Sequence, residues 1–259
     1  MAMSTKKTID INCDMGESSK NFFIADDDGI FPFITSCNIA CGLHAGDPYH
    51  IKKTIEKALL HGVQIGAHPG YPDLKGFGRR VLTMSQEELL ASVLYQVSAL
   101  QGMVESMGGK LDYVKPHGAL YNEMAKNKTI ATTVVKAIKT INTKLAIMGL
   151  AGSHLKRIVE AEGMLFVAEA FADRRYEASG HLMSRKKDHA VIDSPSEAAE
   201  QVISIIKNGY ATTLSDEKVA IETQSFCIHG DNPKAVEVLS AIDTALAHNA
   251  IRKRAFSIQ

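Results

Sequence analysis

Cysteine is scarce in this chain of 259 residues. Its four cysteines, Cys13, Cys37, Cys41 and Cys227, are too few for a disulfide framework. Cys37 and Cys41 also lack a second pair at ligand spacing, which argues against a structural zinc knuckle. We therefore expect the four side chains to be small buried thiols.

An excess of charge of one sign and a long hydrophobic run are missing as well. Lys plus Arg and Asp plus Glu number 29 each, so the formal net charge is zero and no basic stripe indicates a nucleic-acid partner. No apolar run approaches the length of a membrane span. The polar N-terminal residues 1–8 lack the apolar core of a secretory signal. We therefore expect a soluble, cytoplasmic protein that binds neither nucleic acid nor membrane.

Short apolar segments alternate with amphipathic segments along the whole chain. Seven segments have the character of strands: residues 9–12, a stretch that ends at His44, and residues 63–67, 111–114, 145–148, 165–168 and 224–228. The segments between them carry helix signals, such as Asp47-Pro48 at a helix start and the capping sequence Ser85-x-x-Glu88. This alternation predicts an α/β fold with a parallel sheet. The length fits a single domain over residues 1–259.

Two arrangements of such a sheet are open at this point. Seven strands can close as a distorted (β/α) barrel or form an open doubly wound sheet. No Gly-x-Gly-x-x-Gly follows the first strand, which weakens the dinucleotide-binding form of the open sheet. We expect the polar stretch of residues 178–193 to be a functional loop or lid, and the tail of residues 252–259 to be loosely held.

Side chains capable of acid–base or electrostatic chemistry occur at most of the predicted strand ends. They are Asn12, Asp14, Glu17, His44, Asp47, His68, Lys115, His117, Glu169, His229 and Asp231. In a parallel barrel the carboxyl ends of all strands share one face, so residues distant in the sequence would meet in one pocket. We predict that this pocket is the functional site.

Each of these residues also has an ordinary structural interpretation. Asp47 and Asp231 can simply cap helix starts, and a single histidine at a strand end is usually a structural hydrogen-bonding group. Four histidines at four strand ends nevertheless favour a functional site. Lys115 closes an apolar strand, where its ammonium group needs an anionic partner.

Two arginine pairs and the histidines leave further alternatives open. Arg79 or Arg174, each the first member of an arginine pair, can bind a carboxylate or a phosphate, or the pairs can be ordinary surface charge. Three imidazoles and one aspartate can form a catalytic zinc site. No His-x-x-x-His or His-Glu-x-x-His sequence fixes such ligands locally, so the sequence leaves the presence of a metal undecided.

Seven motifs carry a resemblance to a known family. They are residues 10–17 (DINCDMGE), 38–48 (NIACGLHAGDP), 66–73 (GAHPGYPD), 76–80 (GFGRR), 114–122 (VKPHGALYN), 171–176 (FADRRY) and 229–233 (HGDNP). In this order they resemble the LamB/YcsF family, whose members are also known as 5-oxoprolinase A subunits. The chain differs from the usual family pattern over residues 18–21 and at position 179, where an aspartate commonly precedes the glycine.

The resemblance implies a fold, an activity and partners. The fold is an irregular seven-stranded (β/α) barrel similar to the glycoside hydrolase/deacetylase barrels. The activity is the ATP-dependent hydrolytic ring opening of 5-oxoproline (pyroglutamate) to L-glutamate, with ATP consumed together with partner subunits B and C. Because the chain has no Gly-x-x-x-x-Gly-Lys-[Ser/Thr] phosphate loop, we expect the partners to transfer the phosphoryl group and this chain to hydrolyse the activated lactam.

Within that activity we expect roles for the residues of the pocket. Asp14 or His117 would activate water, while Lys115 and His44 would stabilise the developing negative charge. The remaining candidates bind substrate: Arg79 or Arg174 at its carboxylate, and Asn12, Glu17, His68, Glu169, His229 and Asp231 around it. Two other functions stay open, namely a stand-alone metal-dependent amidohydrolase or deacetylase and a non-catalytic lactam-binding subunit.

Overall fold

Seven parallel strands close into a barrel in the computed structural model, which describes residues 7–20, 27–185 and 187–258. These strands are β1 (Thr8–Met15), β2 (Ser36–Ala40), β3 (Gln64–His68), β4 (Leu111–Val114), β5 (Ala146–Leu150), β6 (Phe166–Phe171) and β9 (Ser225–Ile228). The short strands β7 (Tyr210–Thr212) and β8 (Lys218–Ala220) form a separate antiparallel pair. The barrel strands pair in chain order, and β9 pairs with both β6 and β1, with Phe226 opposite Ile11. The irregular seven-stranded (β/α) barrel is therefore confirmed, and the open doubly wound sheet is wrong.

Helices follow most of the strands and cover the outside of the barrel. They are α1 (Asp27–Ile30), α2 (Pro48–His61), α3 (Gln86–Ser106), α4 (Gly118–Lys126), α5 (Lys128–Ile141), α6 (Leu155–Ala161), α7 (Pro195–Asn208) and α8 (Ala235–His248), with 3-10 turns at Phe31–Phe33 and Leu74–Gly76. Asp47 caps α2 by accepting hydrogen bonds from two backbone N–H groups, and Ser85 with Glu88 forms the predicted capping box of α3. The second strand ends at Ala40, so His44 lies in the loop that follows it.

Polar side chains fill the upper part of the barrel interior, where upper means towards the carboxyl ends of the strands. The odd-numbered residues of β1 belong to the hydrophobic core between barrel and helices, and its even-numbered residues point inward. Asn38 Nδ2 donates hydrogen bonds to Asn12 Oδ1 at 2.7 Å and to Asp14 Oδ1 at 2.8 Å. Below them, Asp10 accepts a hydrogen bond from Ser36 Oγ at 2.6 Å. This column places Asp14 at the upper mouth of the barrel and Asn12 one layer beneath it.

The acidic group at the base of this column gives a pH-dependent prediction. Burial raises the pKa of Asp10 from 3.8 to about 6, even though three hydroxyl groups donate to it. Because the folded state binds the proton more tightly, the free energy of unfolding should fall by about 3 kcal/mol as pH rises from 4 to 6 and stay level above. Asp10→Asn should lack this contribution. Urea titrations of both proteins between pH 4 and 7.5 measure the difference, and parallel pH profiles for the two proteins would contradict the prediction.

The C-terminal tail differs from its expectation. Residues Arg252–Lys253 form β10, which pairs with β1 through Thr8 and Arg252. Phe256 is buried at the lower end of the barrel, where its ring packs against Tyr113 with 5.2 Å between centroids. The prediction of a loosely held tail is wrong because this aromatic ring completes a small apolar cluster inside the barrel.

Most of the N-terminal segment of residues 1–8 lies outside the described residues, as does residue 21. The expectations about them therefore stay predictions. All four cysteines are free and buried, as predicted. Among the described residues, no helix combines the length and the apolar composition that a membrane span requires.

Candidate active site

A cavity of about 740 Å³ lies at the carboxyl ends of the barrel strands. The structure brings seven of the twelve predicted site residues to its lining: Asp14, His68, Arg79, Lys115, His117, Arg174 and His229. The polar stretch of residues 178–193 supplies part of the cavity wall through residues 181–185. The other five predicted residues, Asn12, Glu17, His44, Glu169 and Asp231, lie beneath the cavity or beside it.

Lys115 has the anionic partners that its buried position requires. Its Nζ lies 2.9 Å from Asp14 Oδ1 and 2.9 Å from Glu169 Oε1, and it donates to Cys227 Sγ at 3.0 Å. Burial alone would lower the pKa of Lys115, but Asp14, Cys227 and Glu169 hold it well above its usual value. Lys115 is therefore a permanent positive charge at the cavity floor, and its ion pair with Glu169 stabilises that charge.

Asp14 is an ionised carboxylate held in place by several donors. Asn38 and Lys115 donate to its Oδ1, and its Oδ2 lies 3.4 Å from His68 Nε2. Burial would raise the pKa of Asp14, but His68 and Lys115 hold it well below its ordinary range. A carboxylate with so low a pKa is a weak base. It is better suited to orienting Lys115 and His68 than to removing a proton from water.

Three histidines and one glutamate pack together beside Asp14. His117 Nδ1 lies 2.9 Å from His68 Nε2, and the His117 ring stacks on His44 with 3.9 Å between centroids. Glu17 Oε1 lies 3.4 Å from both His44 Nε2 and His117 Nδ1. Gly78 permits this packing, because a Cβ there would lie 2.8 Å from His44 Cβ and from His117 Cδ2. His44 does not line the cavity, whereas His117, which stacks on it, does. The expected role of His44 in stabilising negative charge stays a prediction.

Burial governs the protonation of this cluster. It lowers the pKa of His44 and of His117 well below the usual value, so both rings are neutral at pH 7. It raises the pKa of Glu17 well above its ordinary value, and the nearby charge of Asp14 acts in the same direction. His44 and His117 thus offer neutral nitrogen donors next to one carboxyl group.

An aspartate–histidine pair also contributes to the cavity through His229. Asp173 accepts from the His229 backbone N–H at 3.1 Å, and its two oxygens lie 2.9 and 3.0 Å from His229 Nδ1. Burial would raise the pKa of Asp173, but these contacts with His229 lower it. Because a carboxylate accepts the proton on Nδ1, the Nε2 of a neutral His229 ring carries the lone pair. This arrangement is suited to a general base.

The two candidate arginines differ in their partners. Arg79 already forms an ion pair with Asp231 at the cavity rim and lies over the Phe77 ring. Arg174 is buried and donates from Nη2 to the Met183 carbonyl, while its Nε has no hydrogen-bond partner among residues 7–20, 27–185 and 187–258. Burial and the charge of Arg185 lower the pKa of Arg174 to about 10. Among the described residues, no carboxylate forms an ion pair with Arg174, which makes it the better site for a ligand anion.

Sequence comparison decides the family. The model of the LamB/YcsF family matches residues 9–259. The chain belongs to the LamB/YcsF family. It is 48% identical over 245 residues to a curated relative from Bacillus thuringiensis subsp. konkukian that is named as the A subunit of 5-oxoprolinase, covering 94% of this chain and 97% of the relative.

Solved structures place this LamB/YcsF chain among known barrels. The lactam utilization protein from Thermus thermophilus superposes with a TM-score of 0.91 at 38% identity, covering 96% of this chain and 100% of that one. The catalytic domain of a peptidoglycan N-acetylglucosamine deacetylase from Eubacterium rectale gives a TM-score of 0.53 at 9% identity, covering 98% and 90%. The second likeness concerns the fold alone, and it confirms the predicted deacetylase-like barrel.

One functional candidate of this LamB/YcsF chain was absent from the sequence-based set. Asp173 lies two residues beyond β6, inside the FADRRY motif and directly before the predicted site residue Arg174. The rule that polar residues at strand ends converge applies to it as it does to Asp14. The same rule would therefore have identified it.

Proposed function

We propose that this LamB/YcsF chain is the A subunit of a 5-oxoprolinase, which opens 5-oxoproline to L-glutamate with hydrolysis of ATP and acts with partner subunits B and C. The name of the curated relative, which includes a subunit letter, supports a multi-subunit enzyme. The observation that carries the proposal is the buried Arg174, which forms no ion pair with a described residue, in a cavity that Lys115 and His229 also line. A small lactam with one carboxylate fits that set of groups.

The chemistry requires an activated lactam because amide resonance resists attack by water. Phosphorylation of the lactam oxygen makes the ring carbonyl carbon electrophilic. Water then adds to that carbon, and protonation of the ring nitrogen breaks the carbon–nitrogen bond to leave an acyl phosphate. A second water hydrolyses the acyl phosphate to glutamate and phosphate. Since this chain has no phosphate-loop sequence, we assign the phosphoryl transfer to the partner subunits.

The geometry supports His229 as the base more than the two candidates named from sequence. Its Nε2 is not held by Asp173, which binds the other ring nitrogen. By contrast, His117 has Nε2 beside the Phe77 carbonyl and Nδ1 beside His68. In the proposed reaction His229 takes a proton from the attacking water and returns one to the ring nitrogen. Lys115 stabilises the developing negative charge.

Reconstitution tests the proposal and separates it from its alternatives. The chain is combined with the B and C subunits, and glutamate release from 5-oxoproline is measured with and without ATP. We expect release only when all three subunits and ATP are present. Amide hydrolysis by this chain alone, without ATP, would identify a stand-alone amidohydrolase. Full activity in all cavity variants would identify a non-catalytic lactam-binding subunit.

Arg174 gives a prediction about substrate affinity. Arg174→Gln should raise the KM for 5-oxoproline roughly 10- to 100-fold, because a charge-assisted hydrogen bond contributes about 1.5–3 kcal/mol. The KM for ATP should not change. Arg175→Gln is the matched control, since Arg175 pairs with Glu197 and does not line the cavity. An equal effect of both substitutions would refute a carboxylate-binding role for Arg174.

A further inference from the structure

Two backbone carbonyls fix the tautomers of the histidines at the cavity floor. His68 Nδ1 lies 2.6 Å from the Lys115 carbonyl oxygen, and His117 Nε2 lies 2.8 Å from the Phe77 carbonyl oxygen. A carbonyl oxygen only accepts, so both of these nitrogens carry hydrogen. The remaining nitrogens, His68 Nε2 and His117 Nδ1, therefore present lone pairs when the rings are neutral. They lie 2.9 Å apart, a separation that requires a proton or a cation shared between them.

A single proton leaves the rest of the cluster unsatisfied. Within the described part of the chain, neither ring nitrogen of His44 has a hydrogen-bond partner, although the residue is only 1% exposed. Glu17 Oε1 is also buried, and no described residue forms a hydrogen bond with it. Buried polar atoms without partners are rare and costly, and binding of an ion is one recognised explanation for them.

We propose that Glu17, His44, His68 and His117 bind a divalent transition-metal ion of the Zn²⁺ type. One donor atom from each residue lies within 4.8 Å of all the others. The known separations are 2.9 Å between His68 and His117 and 3.4 Å from Glu17 to both His44 and His117. Tetrahedral zinc with bonds of about 2.0–2.1 Å places its ligand atoms about 3.3 Å apart. Three imidazoles and one carboxylate favour Zn²⁺ over Mg²⁺ or Ca²⁺, which prefer oxygen ligands.

The ring orientations show which ligands are preorganised. The His68 and His117 rings are nearly perpendicular. The backbone carbonyls that accept from their other ring nitrogens fix the ring orientations, as hydrogen bonds from the second nitrogen do for histidines that bind a metal. The His44 and His117 planes are only 10° from parallel, so one ion cannot lie in both planes without rotation of a ring. No described residue holds the His44 ring by a hydrogen bond, so His44 is the ring that rotates. His68 and His117 also line the cavity, which gives the ion a route of entry.

The other candidate group is less suited to a metal. Asp14, Cys227 and His229 also bring donor atoms within 4.8 Å of one another. The Lys115 ammonium, however, lies 2.9 Å from Asp14 and 3.0 Å from Cys227, so a cation already occupies that position. The histidine cluster is the one without such a charge.

Direct binding measurements test the metal site without 5-oxoproline, ATP or partner subunits, so the outcome is independent of the proposed function. The full chain is purified without a metal-binding tag, stripped with a chelator and titrated with Zn²⁺ and Co²⁺. We expect one equivalent to bind, with the visible bands of tetrahedral Co²⁺. His68→Gln and His117→Gln should weaken binding by at least 100-fold, and Glu17→Gln should weaken it about 10-fold. His248→Gln, on the exposed end of α8, is the matched control and should bind normally.

Two results would overturn the inference. One is the absence of stoichiometric Zn²⁺ or Co²⁺ binding by stripped protein that circular dichroism shows to be folded. The other is unchanged affinity in folded His68→Gln and His117→Gln variants. Glu17→Gln guards against misfolding as the cause of lost binding, because it preserves the size of a buried side chain.

Discussion

Lys115→Met should destabilise the barrel by about 3–5 kcal/mol and lower glutamate release by roughly 10²- to 10³-fold. The Lys115 ammonium lies between Asp14 and Glu169, at 2.9 Å from an oxygen of each. Among the described residues, Lys115 is the cation that forms an ion pair with the buried Glu169 carboxylate, so the lysine is its main electrostatic compensation. Methionine fills a similar volume but leaves two carboxylates facing each other in the barrel. Urea unfolding and the reconstituted assay measure the two effects.

A second substitution separates charge balance from catalysis. Glu169→Gln in the Lys115→Met background removes one of the two uncompensated carboxylates, and it should restore much of the lost stability without restoring activity. Lys126→Met, at an exposed lysine on the cavity lining, is the matched control and should leave both properties close to wild type. If Lys115→Met kept both its stability and its activity, Lys115 would be neither the structural counterion nor the catalytic cation.

The fold could be predicted from sequence to the level of its repeating unit. Alternation of apolar and amphipathic segments gave seven strands, because each barrel strand is a short buried run with helix signals after it. The closure of the sheet could not be derived in the same way. It depends on β9 pairing with β1, where Asp10 lies opposite Ser225, and no local pattern reports contacts over such a distance. The resemblance to the LamB/YcsF family supplied that information.

Membership of the candidate site was more predictable than position within it. Residues at the ends of parallel strands converge whatever their sequence separation, which is why Asp14, His68 and Lys115 meet. How deep a side chain lies in the barrel depends on the position of its residue along the strand. Asn12 and Asp14 share one face of β1 but differ by two residues, about 6.8 Å, so only Asp14 reaches the cavity. The ion pair between Arg79 and Asp231 joins residues far apart in the sequence, so it too can be identified only from the three-dimensional structure.

Substitution of the Asp173–His229 pair should give strongly non-additive losses of activity. His229→Gln removes the proposed base and should lower kcat about 10²- to 10⁴-fold, with little change in the KM for 5-oxoproline. Asp173→Asn should also lower kcat substantially, because Asp173 fixes the ring tautomer that leaves Nε2 free. We define Asp173 as a positioning residue, since it contacts His229 and does not line the cavity.

The double variant tests that relationship. If Asp173 acts only through His229, Asp173→Asn should add almost nothing in the His229→Gln background, because residues that work as a unit lose their effect together. His181→Gln, at another histidine of the cavity lining, is the control and should retain activity. Asp173 also accepts from the His229 backbone, so the stability of each variant is measured by urea unfolding. Losses in kcat that multiply in the double variant would show that the two residues act independently, and the proton would then have to be assigned to a different group.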